Sequence, residues 1–249
     1  VSPTAFQRST FPHADQQRMS AIHDGIDIDS AAPLLDTPHL NLSDGTILRK
    51  GDPVVTFVNR NLEPYRGCHS FIRSIPYVQK LVPNAQIVLV GSLRGVAYGA
   101  ACAEGEWADQ FLAEIDGQYD KSRVHFTGTL PYEHFLPLLR LSACHVYLTY
   151  PFVLSWSLLE AMSCACPVVG SATPPVQEVI SDGHNGLLVD FFSPVDLAEA
   201  ISEMLTNPER AAEMGHSARK TVVERYSLGN CLPRQLQLIN LVAAKSLGE

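Results

Sequence analysis

The segment NRNLEPYRG sets Arg60 and Arg66 six residues apart around a proline turn, directly after a β-branched run. Two guanidiniums at one strand end suit a diphosphate, because arginine stays charged and offers a planar fork of donors. The competing reading is a pair of solvated surface arginines. A second β-branched run is followed by GSLRGVAYG, in which Gly91, Gly95 and Gly99 recur at a spacing of four and imply close approach of the backbone to something else. This loop lacks the Gly-Lys-Ser/Thr of a Walker loop and the G-x-G-x-x-G of a dinucleotide fingerprint, and a glycine-rich surface loop explains it equally well. Gly91 and Ser92 at this strand end, and Thr129 after the third run, are further candidates for ligand contact.

The stretch YPFVLSWSLLEAMSCACPVVGS, from Tyr150 to Ser171, carries one charged residue, Glu160. Burying an unpaired carboxylate costs on the order of several kcal/mol or shifts its pKa, so this one needs a reason. Ser155 reads as a helix N-cap, which leaves the amides from Trp156 to Leu158 pointing back with the partial positive charge that favours phosphate. At about 100° per residue, Ser157, Glu160 and Ser163 fall on one side of that helix, apart from Leu158, Leu159 and Met162. A carboxylate accepts hydrogen bonds and does not hold phosphate. Beside two arginines and a helix N-terminus it calls for a hydroxyl-bearing partner, and ribose is one. Arginines for pyrophosphate, helix amides for phosphate and a carboxylate for ribose together describe a nucleoside diphosphate.

These residues need a scaffold that gathers strand ends. MSAIHDGIDID reads as a short strand ending at an Asp-Gly turn, SAAPLLDTP as proline-marked irregular chain, and LNLSDGTILRKGD as a hairpin around Asp44-Gly45. From Pro53 onward, short β-branched runs (VVTFVN, QIVLVG, RVHFTG, HVYLTY, PVVGS, GLLVDF) alternate with segments of helical period, including 70–81, 107–116 and the stretches YEHFLPLLRLSA, SWSLLEAMSC, PPVQEVI and PVDLAEAISEML. Strands without clear alternation, separated by helices, predict an α/β protein with a doubly wound parallel sheet covered on both faces. After Asn207 the chain reads as helical, with Asn207-Pro208 as N-cap and first position and a further helix over 233–245. Ligands on such sheets bind outside the carboxyl ends of the strands, where the candidate residues fall.

Composition agrees with a globular protein: 249 residues, 46% hydrophobic and 18% charged. No apolar run reaches the ~18 residues that span a bilayer. The formal charge of -8 argues against general binding to nucleic acid, whose affinity rests on a basic surface. Six cysteines show no C-x-x-C pair and, with nine histidines, no zinc spacing, so they read as small buried hydrophobes in a reducing compartment. The start, VSPTAFQRSTFP, has neither an initiator methionine nor a basic-then-apolar export pattern, and reads as a cut within a longer protein.

NRNLEPYRG, VHFTGTLPYEHF, the 150–189 region and the entry IHDGID closely resemble the C-terminal half of the GT-B glycosyltransferases of family 4, over roughly residues 19–226. The resemblance implies a retaining glycosyltransferase whose Rossmann-like domain holds a UDP- or GDP-linked sugar without a metal. It implies a domain division as well: 1–18 as the end of an upstream acceptor domain and linker, 19–228 as the donor domain, and 229–249 as a helix that packs back on the upstream half. By position, Arg60 and Arg66 match the basic pair on the donor diphosphate, and Glu160 the last glutamate of an E-x7-E motif that holds ribose. The first glutamate of that motif, which commonly contacts the donor sugar, falls at Phe152, and Ser155, followed by Trp156, stands where relatives have a glycine after the aromatic residue, so the resemblance leaves sugar identity and orientation open.

The mechanism this implies is transition-state electrostatics. Arg60 and Arg66 would stabilise charge on the departing diphosphate, helped by amides near Leu154, Ser155, Trp156 and Ser157. A second hypothesis is a donor-binding module that transfers nothing by itself. A nicotinamide dehydrogenase is disfavoured by the missing glycine fingerprint. His23 and His145 read as turn and core positions, and Trp156 either stacks on a ligand or fills the core. The acceptor, a glycan, lipid or small molecule, would sit mainly on the upstream domain. The location expected is the cytoplasm, with peripheral attachment at the inner face of the membrane left open.

Overall fold

The computed structural model describes residues 1–34 and 39–246. The chain opens with two short helices, α1 (Ala5–Ser9) and α2 (His13–Gln16), and an antiparallel hairpin of β1 (Leu40–Asn41) and β2 (Ile47–Leu48). Strand and helix then alternate: β3 (Val54–Asn61), α3 (Cys68–Leu81), β4 (Gln86–Ser92), α4 (Trp107–Glu114), β5 (Val124–Gly128), α5 (Tyr132–Leu141), β6 (Cys144–Tyr147), α6 (Trp156–Ser163), β7 (Val168–Ser171), α7 (Pro174–Gln177), β8 (Leu187–Val189) and α8 (Pro194–Thr206). Two helices follow, α9 (Pro208–Arg225) and α10 (Leu228–Ser246).

The strands β3 to β8 form one parallel sheet in the order β5-β4-β3-β6-β7-β8. The order reverses between β3 and β6, which makes their carboxyl ends the switch point where such sheets open a crevice. Period-two alternation sorts neighbouring residues into cores on opposite faces. Val55, Phe57, Ile87 and Leu89 pack with Phe71 and Ile75 of α3 and Ile201 of α8. On the other face, Val54, Val88 and Val90 pack with Leu138 of α5, and Val168 and Tyr147 pack with Leu158 of α6 and Val222 of α9. Each fully buried Leu, Ile or Phe contributes about 1.5–3 kcal/mol, so a strand buried on both sides needs no polar face. A buried polar network interrupts this packing, in which Thr56 Oγ1 meets Ser142 Oγ at 2.7 Å and His145 Nδ1 at 3.0 Å.

The hairpin forms as read, with the Asp44 carboxylate accepting from the Thr46 amide at 2.8 Å. The 19–29 segment does not become a strand. It makes only single bridges, Ala21 with Ser2 and Ile26 with Ser227, and the Asp27 carboxylate ends the extended run by accepting from the amides of Asp29 and Ser30. Residues 35–38 of the proline-marked stretch and 247–249 lie outside the described residues. The last helix starts five residues before the expected 233, because Ile26 holds Ser227 in place and the Ser227 carbonyl accepts from Asn230 and Cys231. Asn207 occupies the N-cap position of α9, but its side chain turns back to donate to the Glu203 carbonyl of α8 at 3.0 Å.

Candidate functional site

Two cavities open at the carboxyl ends of β3, β4 and β6. One, of about 220 Å³, is lined by Arg60, Glu63, Arg66, Tyr98, Ser155 and Ser157. The other, of about 270 Å³, is lined by Arg60, Thr129, Tyr132, Ser157 and Glu160 among others. Val58, Asn59, Arg60 and Ser157 line both, so the two share a wall. Arg66 and Glu160 thus lie in adjoining compartments, with Arg60 bordering each. A larger cavity of about 470 Å³ lies between α1 and α10, away from these strand ends.

Arg66 belongs to a 3-10 turn, Pro64–Arg66, that ends at Gly67 with φ 74°. A side chain at Gly67 would overlap Leu148, so this glycine lets the turn settle on the sheet edge. Arg66 is only 8% exposed. Its Nη1 donates to the hydroxyls of Tyr147 (3.2 Å) and Thr149 (3.3 Å). The rings of Phe152 and Tyr98 cover its guanidinium at 4.8 and 5.1 Å. Among the described residues it forms no ion pair. Arg66 is therefore a buried cation held by neutral hydroxyls and aromatic faces, a state that an anion in the adjoining cavity would relieve. Arg60 is exposed at the end of β3.

The sequence reading passed over Glu63, which sits 1% exposed between the two arginines. Its carboxylate accepts from the amides of Ala97 (2.6 Å) and Tyr98 (3.0 Å) and so ties the loop after β4 to the wall of the cavity. Two of the recurring glycines of that loop find their reason here. A side chain at Gly91 would overlap the Asn59 carbonyl, and one at Gly99 would press on the ring of Tyr65. The backbone approaches the protein's own 59–65 segment. Gly91 and Ser92 line neither cavity, and the Ser92 hydroxyl is occupied with the backbone of Arg94.

Ser155 caps α6, its Oγ accepting from the Ser157 amide at 3.4 Å. The Ser155 amide donates to Tyr147 Oη at 2.8 Å, so two of the amides read as phosphate donors already have acceptors. Leu154 is 5% exposed and joins the core, and its side chain reaches neither cavity. Trp156 neither fills the core nor lines a cavity; it is 54% exposed and donates from Nε1 to Asp24 at 3.2 Å. Ser157 and Glu160 share the cavity side of α6, but Ser163 does not, because Arg219 of α9 covers it and donates to its carbonyl.

Glu160 is half-buried and accepts from Tyr132 Oη at 2.8 Å. Burial raises its pKa above the usual carboxylate value, an effect the tyrosine hydrogen bond opposes. Burial together with Glu160 pushes the Tyr132 hydroxyl up in turn, so at neutral pH it is a donor. Thr129 lines the same compartment. His145 is fully buried, its pKa lowered to about 3 by desolvation, and His23 is a buried turn residue accepting from Gly25. Among the described residues no group of three or more His, Cys, Asp or Glu is arranged to hold a metal. No helix among them is long and apolar enough to cross a membrane.

Comparison with known proteins places this architecture. The profile described as "Glycosyl transferases group 1" matches residues 42–221, and that described as "Glycosyl transferase family 4 group" matches residues 1–31. The chain is 27% identical over 248 residues to the alpha-maltose-1-phosphate synthase of Mycolicibacterium smegmatis, covering 94% of this chain and 60% of that protein. It is 26% identical over 181 residues to a GDP-mannose-dependent alpha-(1-6)-phosphatidylinositol monomannoside mannosyltransferase of the same species, covering 70% of this chain and 44% of that one. The chain spans about half the length of the curated relatives it matches. Among solved structures, Anabaena Alr3699/HepE in complex with UDP superimposes with a TM-score of 0.79 at 18% identity, over 96% of this chain and 62% of that one. Sucrose-phosphate synthase from Thermosynechococcus elongatus superimposes with a TM-score of 0.74 at 20% identity, over 98% of this chain and 58% of that one. This chain belongs to the group 1 glycosyl transferases and folds as the C-terminal domain of a GT-B glycosyltransferase.

Proposed function

We propose that this chain is the donor-binding half of a retaining glycosyltransferase that moves a sugar from a UDP- or GDP-linked donor to a glycan, lipid or small-molecule acceptor. The observation that carries the reading is Arg66, a buried guanidinium that has no carboxylate partner among the described residues and faces a cavity adjoining the one lined by Glu160. In this reading the diphosphate lies against Arg66 and Arg60, and the ribose hydroxyls donate to Glu160. Negative charge grows on the diphosphate as the glycosidic bond breaks, and the two guanidiniums stabilise it more in the transition state than in the bound donor. The two arginines supply that charge without a metal. Phe152, whose ring covers Arg66, stands where relatives of the resembled family carry the carboxylate that contacts the sugar.

The domain division follows the same reading: 1–18 linking to an upstream acceptor domain, 19–228 holding the donor, and 229–249 packing back on the upstream half. The exposed positions Leu232 (46%), Leu236 (51%) and Ile239 (61%) on α10 support this, since their spacing lays an apolar stripe along one helix face. The present chain would bind donor and transfer nothing, because the acceptor cleft lies elsewhere. The nucleotide sugar as substrate points to the cytoplasm as its place of work.

Thermal melting with UDP, GDP and NAD tests the reading, because a ligand that binds only the folded form raises the midpoint by mass action. UDP or GDP raises it, and NAD does not. A shift with NAD alone, or none with either nucleoside diphosphate at millimolar concentration, overturns the assignment.

A further inference from the structure

β3 does not run regularly to its end. Its pairing with β4 proceeds from Val54 opposite Gln86 to Val58 opposite Val90, and then jumps so that Asn61 faces Ser92. Asn59 and Arg60 therefore stand where β4 offers only Gly91, which is a β-bulge. Such bulges re-aim side chains and gather near active sites. Gly91 makes this one possible: its φ of 142° and the overlap that any Cβ there would have with the Asn59 carbonyl leave glycine as the residue that fits. The result is that two consecutive residues, Asn59 and Arg60, both border the two cavities.

Arg60 matches a donor-contacting position of the resembled family, but nothing so far accounts for Asn59. Its Nδ2 is closed off from solvent and has no hydrogen-bond partner among the described residues. Buried polar donors in folded proteins are almost always paired, so one left orphaned on a residue that borders a cavity calls for an acceptor. On the reading above, the compartment with Arg66 takes the terminal phosphate and the compartment with Glu160 takes ribose. The group that joins these in a nucleoside diphosphate is the phosphate attached to the ribose.

We propose that Asn59 is a further ligand-binding residue of this site, its amide donating to an oxygen of the ribose-linked phosphate. This rests on the nucleoside-diphosphate reading and separates from it in the test. Calorimetric titration of the wild-type protein with UDP and GDP, and then with the monophosphate of whichever binds more tightly, sets the baseline. If neither diphosphate binds, the site reading and this inference both fall. With binding established, Asn59→Ala weakens the monophosphate and the diphosphate alike by about tenfold, since both carry the phosphate in question. Arg66→Ala weakens mainly the diphosphate.

Asn59→Asp keeps the shape, replaces the donor with a carboxylate and costs more affinity than alanine. Because alanine also removes an orphaned donor, the unliganded Asn59→Ala protein melts at or above the wild-type temperature. Wild-type affinity of Asn59→Ala and Asn59→Asp for the monophosphate overturns the inference and leaves the wider reading standing. A melt well below wild type with unchanged monophosphate affinity assigns Asn59 to the architecture of the bulge alone, and also overturns it.

Discussion

The ring of Phe152 lies 4.8 Å from the guanidinium carbon of Arg66, and the ring of Tyr98 lies 5.1 Å from it. Phe152 and Tyr98 also touch each other, with centroids 4.9 Å apart. In the resembled family the position of Phe152 carries a glutamate. An aromatic face attracts a cation without neutralising it, whereas a carboxylate pairs with it, so the exchange leaves the full charge of Arg66 available to a ligand. Phe152→Ala loosens the guanidinium and weakens UDP or GDP binding a few-fold. Phe152→Glu weakens it further by giving Arg66 an internal counter-ion. Titration calorimetry of the three proteins checks the order, and tighter binding by Phe152→Glu than by Phe152→Ala refutes the argument.

Arg66 itself is held by two hydroxyls and two rings. Lysine carries the charge but lacks the planar group that stacks and donates along two directions at once. Arg66→Ala in the complete enzyme lowers kcat by roughly 10²–10³, about 3–4 kcal/mol of transition-state stabilisation, and Arg66→Lys recovers only part of it. Steady-state kinetics on the intact glycosyltransferase decide this. Near-normal turnover of Arg66→Ala removes it from the chemistry.

Glu160 is strained in one direction and useful in the other. Its folded-state pKa is raised by burial, so the folded protein binds the proton more tightly than the unfolded chain does. Its ionisation accordingly lowers stability as pH rises from the usual 4.5 through the raised value. Glu160→Gln keeps an acceptor for Tyr132 and relieves the buried charge. At pH 7 the variant melts at a higher temperature than wild type, the difference fades below pH 4.5, and UDP or GDP affinity falls about tenfold through the lost charged hydrogen bond. A lower melting temperature at pH 7 contradicts this account.

His145 predicts the acid limit of the fold. It is completely buried, its Nε2 has no hydrogen-bond partner, and desolvation lowers its pKa from 6.5 to about 3. The unfolded chain takes up a proton at this residue over that interval and the folded protein does not, so stability present above pH 6.5 is lost as pH falls toward 3. The loss is on the order of 5 kcal/mol. Urea unfolding of wild type and His145→Asn as a function of pH measures it. The variant is less stable at pH 7 through the cavity it leaves, but its stability depends less steeply on pH between 6 and 4. Parallel pH profiles exclude His145 as the cause.

The amino-acid sequence by itself determined the alternation of strands and helices, the hairpin at Asp44-Gly45, the Ser155 cap, the positions of Arg60 and Arg66 after β3, and that of Glu160 on the helix after β6. Each of these is written in local patterns: periodicity, turn chemistry and the order of residues after a strand. What the tertiary structure decided lies between segments far apart in the chain. Gly91 and Gly99 served the 59–65 segment, Glu63 found its partners at Ala97 and Tyr98, and Ser163, on the expected face of α6, was covered by Arg219 of α9. Trp156 read as a core or stacking residue and stands on the surface, while Leu158 and Leu159 of the same helix are buried. The bulge that brings Asn59 to the cavities depends on a register shift against β4, and register is a property of the pair that neither strand carries alone.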